Sequence, residues 1–199
     1  MIIESNQALF LAEVFGILAM PGPTNSLLFV SGATRGLRAG LHLPVAEVTA
    51  YLITITLLVF VVGPAAENHL IIGQLLRVLC SLYLAYMAVF LWRSGQPKPL
   101  ARDPITSLRI FLTTLVNPKN LLFAFVIFPA PSAASDAMMC SFVIFSGICV
   151  AAGASWIAAG AVIQSAAASK MHLHHFYRGE AVLLAGFAIM VLLSAYYAS

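Results

Sequence analysis

Met20–Phe29 reads MPGPTNSLLF. Two prolines and a glycine stand in the middle of an apolar stretch long enough to cross a membrane. Proline inside a helix removes a backbone hydrogen bond and costs about 3 kcal/mol or more. Where no water can repair the damage, such a break survives only if the freed backbone lines a cavity or is covered by protein. The stretch therefore predicts a membrane helix broken by proline for a purpose. A plain proline kink is the alternative.

Composition places that helix in a bilayer. The 199 residues are 61% hydrophobic and 9% charged, with mean hydropathy +0.98. A soluble domain carries roughly 25% charged residues, so this chain cannot cover a water-facing surface. The expectation is an all-α polytopic membrane protein forming one domain, 1–199, without a soluble appendage. No removable leader is expected, because the first segment opens with Glu4 rather than a basic region. A span needs about 20 apolar residues, and six are read: Ala8–Ser31, Leu43–Gly63, Leu70–Trp92, Leu108–Phe128, Ala137–Ile163 and Ala181–Tyr197. The loops are expected to be GATRGLRAG, GPAAENH, RSGQPKPLARDPITS, PAPSAASD and QSAAASKMHLHHFYRGE. These apolar runs are too long for strands and do not alternate, which excludes a porin-type barrel.

Charge sets the expected orientation. Arg35 and Arg38 follow the first span, Arg93, Lys98, Arg102 and Arg109 the third, and Lys170 and Arg178 the fifth. The other two connections hold Glu67 and Asp136 and no lysine or arginine. Lysine and arginine collect on the cytoplasmic side. Both termini are therefore expected outside, in a multi-pass protein of a bacterial inner membrane.

The opening motif has an echo. PTNSLLF begins at Pro23 and PKNLLFA at Pro118, pairing Pro23 with Pro118, Asn25 with Asn120 and Leu27 with Leu122. A three-span unit repeated once returns upside down, because three is odd. That is the inverted-repeat plan of many secondary transporters. The repeats are read as about 8–92 and 105–198, with helices 1 and 4 broken by proline.

A broken helix offers unpaired N–H groups and a partial positive charge to an anionic group. Candidate substrate-binding residues are therefore Pro21, Gly22, Pro23 and Asn25 at one break and Asn117, Pro118, Lys119 and Asn120 at the other. Lys119 lies ten residues past Arg109, about 15 Å along a helix. A lysine at that depth is costly unless paired or neutralised. It can hold a substrate carboxylate or pair with a glutamate. Glu47, about one turn inside the second span, is read as substrate-binding and as one of two proton-coupling candidates; Glu13 in the first span is the other. Either acid can hold an ammonium group or carry a proton. For Glu47 the alternative is a partly wet acid at a helix N-terminus. Arg77 is read as snorkelling to the outer interface. Tyr51 and Tyr83 fit a cavity wall and plain packing equally well.

With these residues in view, the chain resembles the LysE/RhtB family of amino-acid exporters, of the lysine, homoserine and threonine exporter type. The resemblance rests on PGPTN, RGLRAG, LRVLCSLYLAYMAVFLWRSG and LVNPKNLLF, and covers nearly the whole chain. It implies a small inner-membrane exporter of amino acids or their derivatives, driven by the proton gradient and compatible with a homodimer. LHLPVAEVTAYL departs from the family pattern, with Ala46 and Ala50 where glycine is usual and with an added Glu47. That points to a subgroup with its own specificity.

The expected partners are thus an amino-acid substrate, protons and the bilayer. No nucleic acid, cofactor, metal or enzymatic activity is expected. A cation or metal exporter is the alternative, but it calls for several acids or histidines at midplane depth. HLHH, His172–His175, is read as part of a basic loop rather than a metal site. A membrane thiol redox enzyme needs two cysteines facing each other at the breaks. Cys80, Cys140 and Cys149 are read as lying elsewhere, as small buried hydrophobes.

Overall fold

The computed structural model describes residues 2–93, 105–129, 135–165 and 173–197. Lys98, Arg102, Lys170, His172 and most of PAPSAASD lie outside the described residues, as do the side chains of Glu67, His174 and His175. Every element described is helical: α1 (Ile2–Ala19), α2 (Pro23–Arg35), α3 (Leu37–Gly40), α4 (Leu43–Leu57), α5 (Gly63–Asn68), α6 (Leu70–Arg93), α7 (Ser107–Leu115), α8 (Lys119–Leu122), α9 (Ser135–Ser165) and α10 (Leu173–Tyr197). A π-helical turn, Leu58–Val62, joins α4 to α5, and another, Phe123–Ile127, extends α8.

Three helices are long and apolar enough to cross a membrane: Leu37–Ala65, Gly73–Arg93 and Ser135–Val162. Two bent pairs bring the number to five. Ala8–Ala19 and Pro23–Arg35 meet at 64°, and Ser107–Leu115 and Lys119–Ile127 at 57°. The bends fall where proline and glycine were read as breaks. The apolar stretch described in α10 is shorter, Ala181–Leu193.

Several expected loops are helical instead. GATRGLRAG is helix except at Gly36, the one described glycine with positive φ (77°), where α2 turns into α3. GPAAENH forms α5 up to Asn68, and α10 begins at Leu173, eight residues ahead of the expected Ala181. In and near lipid a helix satisfies its own backbone, so a short connection is best made by continuing it.

Packing follows an exchange. The first span, α1 and α2, lies against α9. The broken pair of α7 and α8 lies against α4, and α6 packs along α10. The α2–α9 crossing is close. A Cβ on Gly32 would stand 1.9 Å from the Ile157 carbonyl oxygen, and one on Gly160 would stand 2.0 Å from that of Phe29. Small residues let membrane helices approach this closely, and dispersion then holds them.

Two of the basic residues tie helix ends together. Arg35 Nη1 donates to the Ile105 carbonyl at 3.0 Å, linking the end of α2 to the segment before α7. Arg178 lies 5.3 Å from the Trp92 ring, linking the start of α10 to the end of α6.

Candidate functional site

The two breaks meet. The first leaves carbonyls at the end of α1 and the second at the end of α7, and an unpaired carbonyl in a dry interior costs free energy. Asn25 Nδ2 donates to Leu18 O and Met20 O, each at 2.7 Å. Asn120 Nδ2 donates to Thr114 O at 2.6 Å, Asn117 O at 2.9 Å and Leu115 O at 3.3 Å. The Tyr83 hydroxyl donates to Val116 O. The echoed asparagines thus do the same work twice, each closing the helix end ahead of it. Their amide donors are taken up by backbone.

The second helix of each pair differs at its start. At α8 the Lys119 N–H donates to Asn117 Oδ1 at 3.1 Å, so that end carries its own cap. At α2, Gly22 occupies the cap position, Pro23 follows in the first turn, and no side chain caps the helix. Of the two breaks, the first keeps the end better suited to an anionic group.

Lys119 joins the breaks. It is 2% exposed, and its Nζ donates to Met20 O at 2.6 Å. The Met20 carbonyl therefore accepts from both Asn25 and Lys119. A second chain of bonds runs alongside. Asn117 Nδ2 donates to Thr24 Oγ1 at 3.2 Å and to Tyr51 Oη at 3.3 Å. Thr24 and Thr114 hydroxyls are 3.1 Å apart, and Thr114 donates to Ile110 O. Thr24, Asn25, Thr114, Asn117, Lys119 and Asn120 are all buried.

Glu47 faces this cluster from α4, on the same face as Tyr51 one turn later, as i and i+4 residues must be. It is 1% exposed and close enough to Lys119 for their charges to interact. Its Oε2 is buried without a hydrogen-bond partner. It lies against Gly153 of α9, where a Cβ would come within 2.9 Å of it. The idea of a partly wet Glu47 does not hold. Pro44 is in the first turn of α4 as expected, but α9 packs over this part of the helix, with Gly153 against both Pro44 and Glu47.

Pro118 and Gly22 are buried, and Pro21 and Pro23 half-buried, at the same junction. Glu13 is not brought to it. It is exposed on α1, while Val14 and Leu18 of that helix face the core. Sequence reasoning missed Thr24, Thr114 and Cys149. Cys149 is fully buried and lies within reach of the charges of Glu47 and Lys119. The reading that put all three cysteines away from the breaks is corrected in this one.

Apolar layers close the cluster on both sides. On one side Tyr51, Phe123, Phe128 and Phe145 pack edge-on, with ring centroids 4.9–5.6 Å apart. Phe10 and Phe142 extend that layer. On the other side, Leu27, Leu28, Leu43, Ile105, Ile110 and Ile157 form a second. A lysine and a glutamate are thus buried together, among polar side chains, where two helices are broken. That arrangement can hold a zwitterion and can store a proton.

The LysE type translocator family matches the chain over residues 15–195. No curated protein and no solved structure matches it. With nearly the whole chain matched, it belongs to the LysE type translocator family. It is a multi-pass membrane transporter, an exporter of amino acids or related compounds.

Proposed function

We propose that this LysE type translocator exports an amino acid or amino-acid derivative across a bacterial inner membrane by alternating access, in exchange for protons. The observation that carries the reading is Lys119. It is a buried cation that reaches from one broken helix to the carbonyl that ends another, with Glu47 alongside. A charge at this depth is expensive and marks a substrate or proton path.

In this reading the substrate carboxylate takes the Lys119 ammonium from Met20 O and lies at the uncapped start of α2. Pro21, Gly22 and Pro23 shape that end, and Asn117 and Pro118 shape the facing one. Asn25 and Asn120 hold the two breaks open rather than touching substrate. Glu47 Oε2, lacking a donor, takes the substrate ammonium in one state and a proton in another. Glu13, exposed on α1, is the weaker coupling candidate.

The framework is six spans in two inverted repeats, 8–92 and 105–198, with α10 as the sixth span. The exchange in packing supports it, since each broken span lies against the second span of the other half and the third spans lie together. The alternation of basic and acidic connections along the sequence supports termini outside. A homodimer is compatible with this arrangement. Everted vesicles loaded with the chain test the function. Labelled amino acids should accumulate when the interior is acidified and not when the gradient is collapsed. Accumulation indifferent to the gradient would remove proton exchange from the proposal. No accumulation of any amino acid would remove the substrate class.

A further inference from the structure

A cavity of about 510 Å³ lies away from the polar site. One wall is α6 and α10. The other is formed by the two π-helical turns and their neighbours, including Leu58, Val62, Phe125 and Val126. Phe125, Val126 and Met190 are about half exposed, so the cavity is a groove open at the side of the helices. Its described lining is apolar save for one charged group, Arg77. Among the described residues Arg77 makes no hydrogen bond or ion pair.

The position of that charge is informative. Arg77 stands seven residues into α6 from Leu70 and sixteen before Arg93, about 10 Å and 24 Å along the axis at 1.5 Å per residue. It is thus within a long side chain's reach of one membrane surface, where phosphates lie, and far from the other. Gly73, one turn nearer that surface, and Gly63 across the groove leave the same end uncrowded. Below Arg77 the walls are leucine, valine, phenylalanine and methionine. Arginine holds phosphate through paired N–H donors, and such walls are as apolar as lipid tails.

We propose that this groove is a binding site for an anionic glycerophospholipid, with the phosphodiester on Arg77 and an acyl chain along the π-helical turns. A translocated zwitterion finds no acid among the described lining residues for its ammonium group. The charge also distinguishes a lipid from a second copy of the chain, which would meet Arg77 with an apolar helix face. The inference does not depend on the substrate or coupling of export.

The test is lipid retention. The full chain is placed in nanodiscs of equal phosphatidylglycerol and phosphatidylethanolamine, released in mild detergent, and weighed intact by native mass spectrometry. Wild type should keep a single lipid, phosphatidylglycerol over phosphatidylethanolamine by about fivefold, the preference one basic side chain gives near a membrane surface. Arg77→Gln should keep a lipid without that preference. Val126→Trp, which fills the groove from an exposed position, should keep neither lipid. Melting temperatures matching wild type show that both variants fold. The proposal is overturned if Arg77→Gln retains phosphatidylglycerol as wild type does, if Val126→Trp retains as much lipid, or if wild type carries a second copy and no lipid.

Discussion

The Met20 carbonyl has two donors from two different spans, and removing them one at a time should differ from removing both. Asn25 Nδ2 lies at 2.7 Å and Lys119 Nζ at 2.6 Å. Asn25→Ala leaves Met20 O to Lys119 but takes the side-chain donor from Leu18 O. A buried group left without a partner costs about 1–3 kcal/mol, and a loss of that size is expected. Lys119→Met leaves Met20 O to Asn25 and removes a buried charge, so its own effect on stability has either sign. Only the double variant leaves Met20 O bare. It should therefore be less stable than the sum of the single changes by a further 1–3 kcal/mol or so. Denaturant unfolding of the four proteins in one detergent reads that difference, because a cycle cancels the effects private to each residue. Additivity within about 0.5 kcal/mol would refute the claim that one carbonyl ties the two breaks together.

Glu47→Gln keeps the shape and loses the titration, so gradient-driven efflux should fall while substrate exchange persists; accumulation like wild type would clear Glu47 and leave Glu13 to test. Gly160→Ala puts a Cβ 2.0 Å from Phe29 O, so α2 and α9 must part by more than an ångström; the melting temperature should drop, by an amount in keeping with about 1–3 kcal/mol of overpacking. In a background without native cysteines, a cysteine at Ser169 should be labelled from the cytoplasmic side only; labelling from outside alone would reverse the topology.

The breaks were legible because proline and glycine act locally. MPGPTN and NPKN announce themselves in any apolar run, and the depth of Lys119 follows from counting residues past Arg109. What Asn25 and Asn120 do was not legible. An asparagine beside a break serves a ligand or the backbone equally well, and only the path of the chain decides. The face of α1 was hidden for a related reason. That span is apolar on all sides, so no periodicity says that Val14 turns inward and Glu13 outward. The α2–α9 crossing sets Gly32 against Ile157 and Gly160 against Phe29, far apart in sequence, and nothing local marks them as partners. Cys149 was passed over likewise, since its neighbours Glu47 and Lys119 come from other spans.

The most direct measurement of the central claim is export by Lys119→Met. The variant is put into everted vesicles at wild-type amounts, with its melting temperature checked in detergent. If Lys119 holds the substrate where the two breaks meet, accumulation of every amino acid that the wild type transports should be lost, and so should exchange, because both need the substrate bound. Normal transport by Lys119→Met would contradict the account, and the bend at Pro118 would then be only a kink.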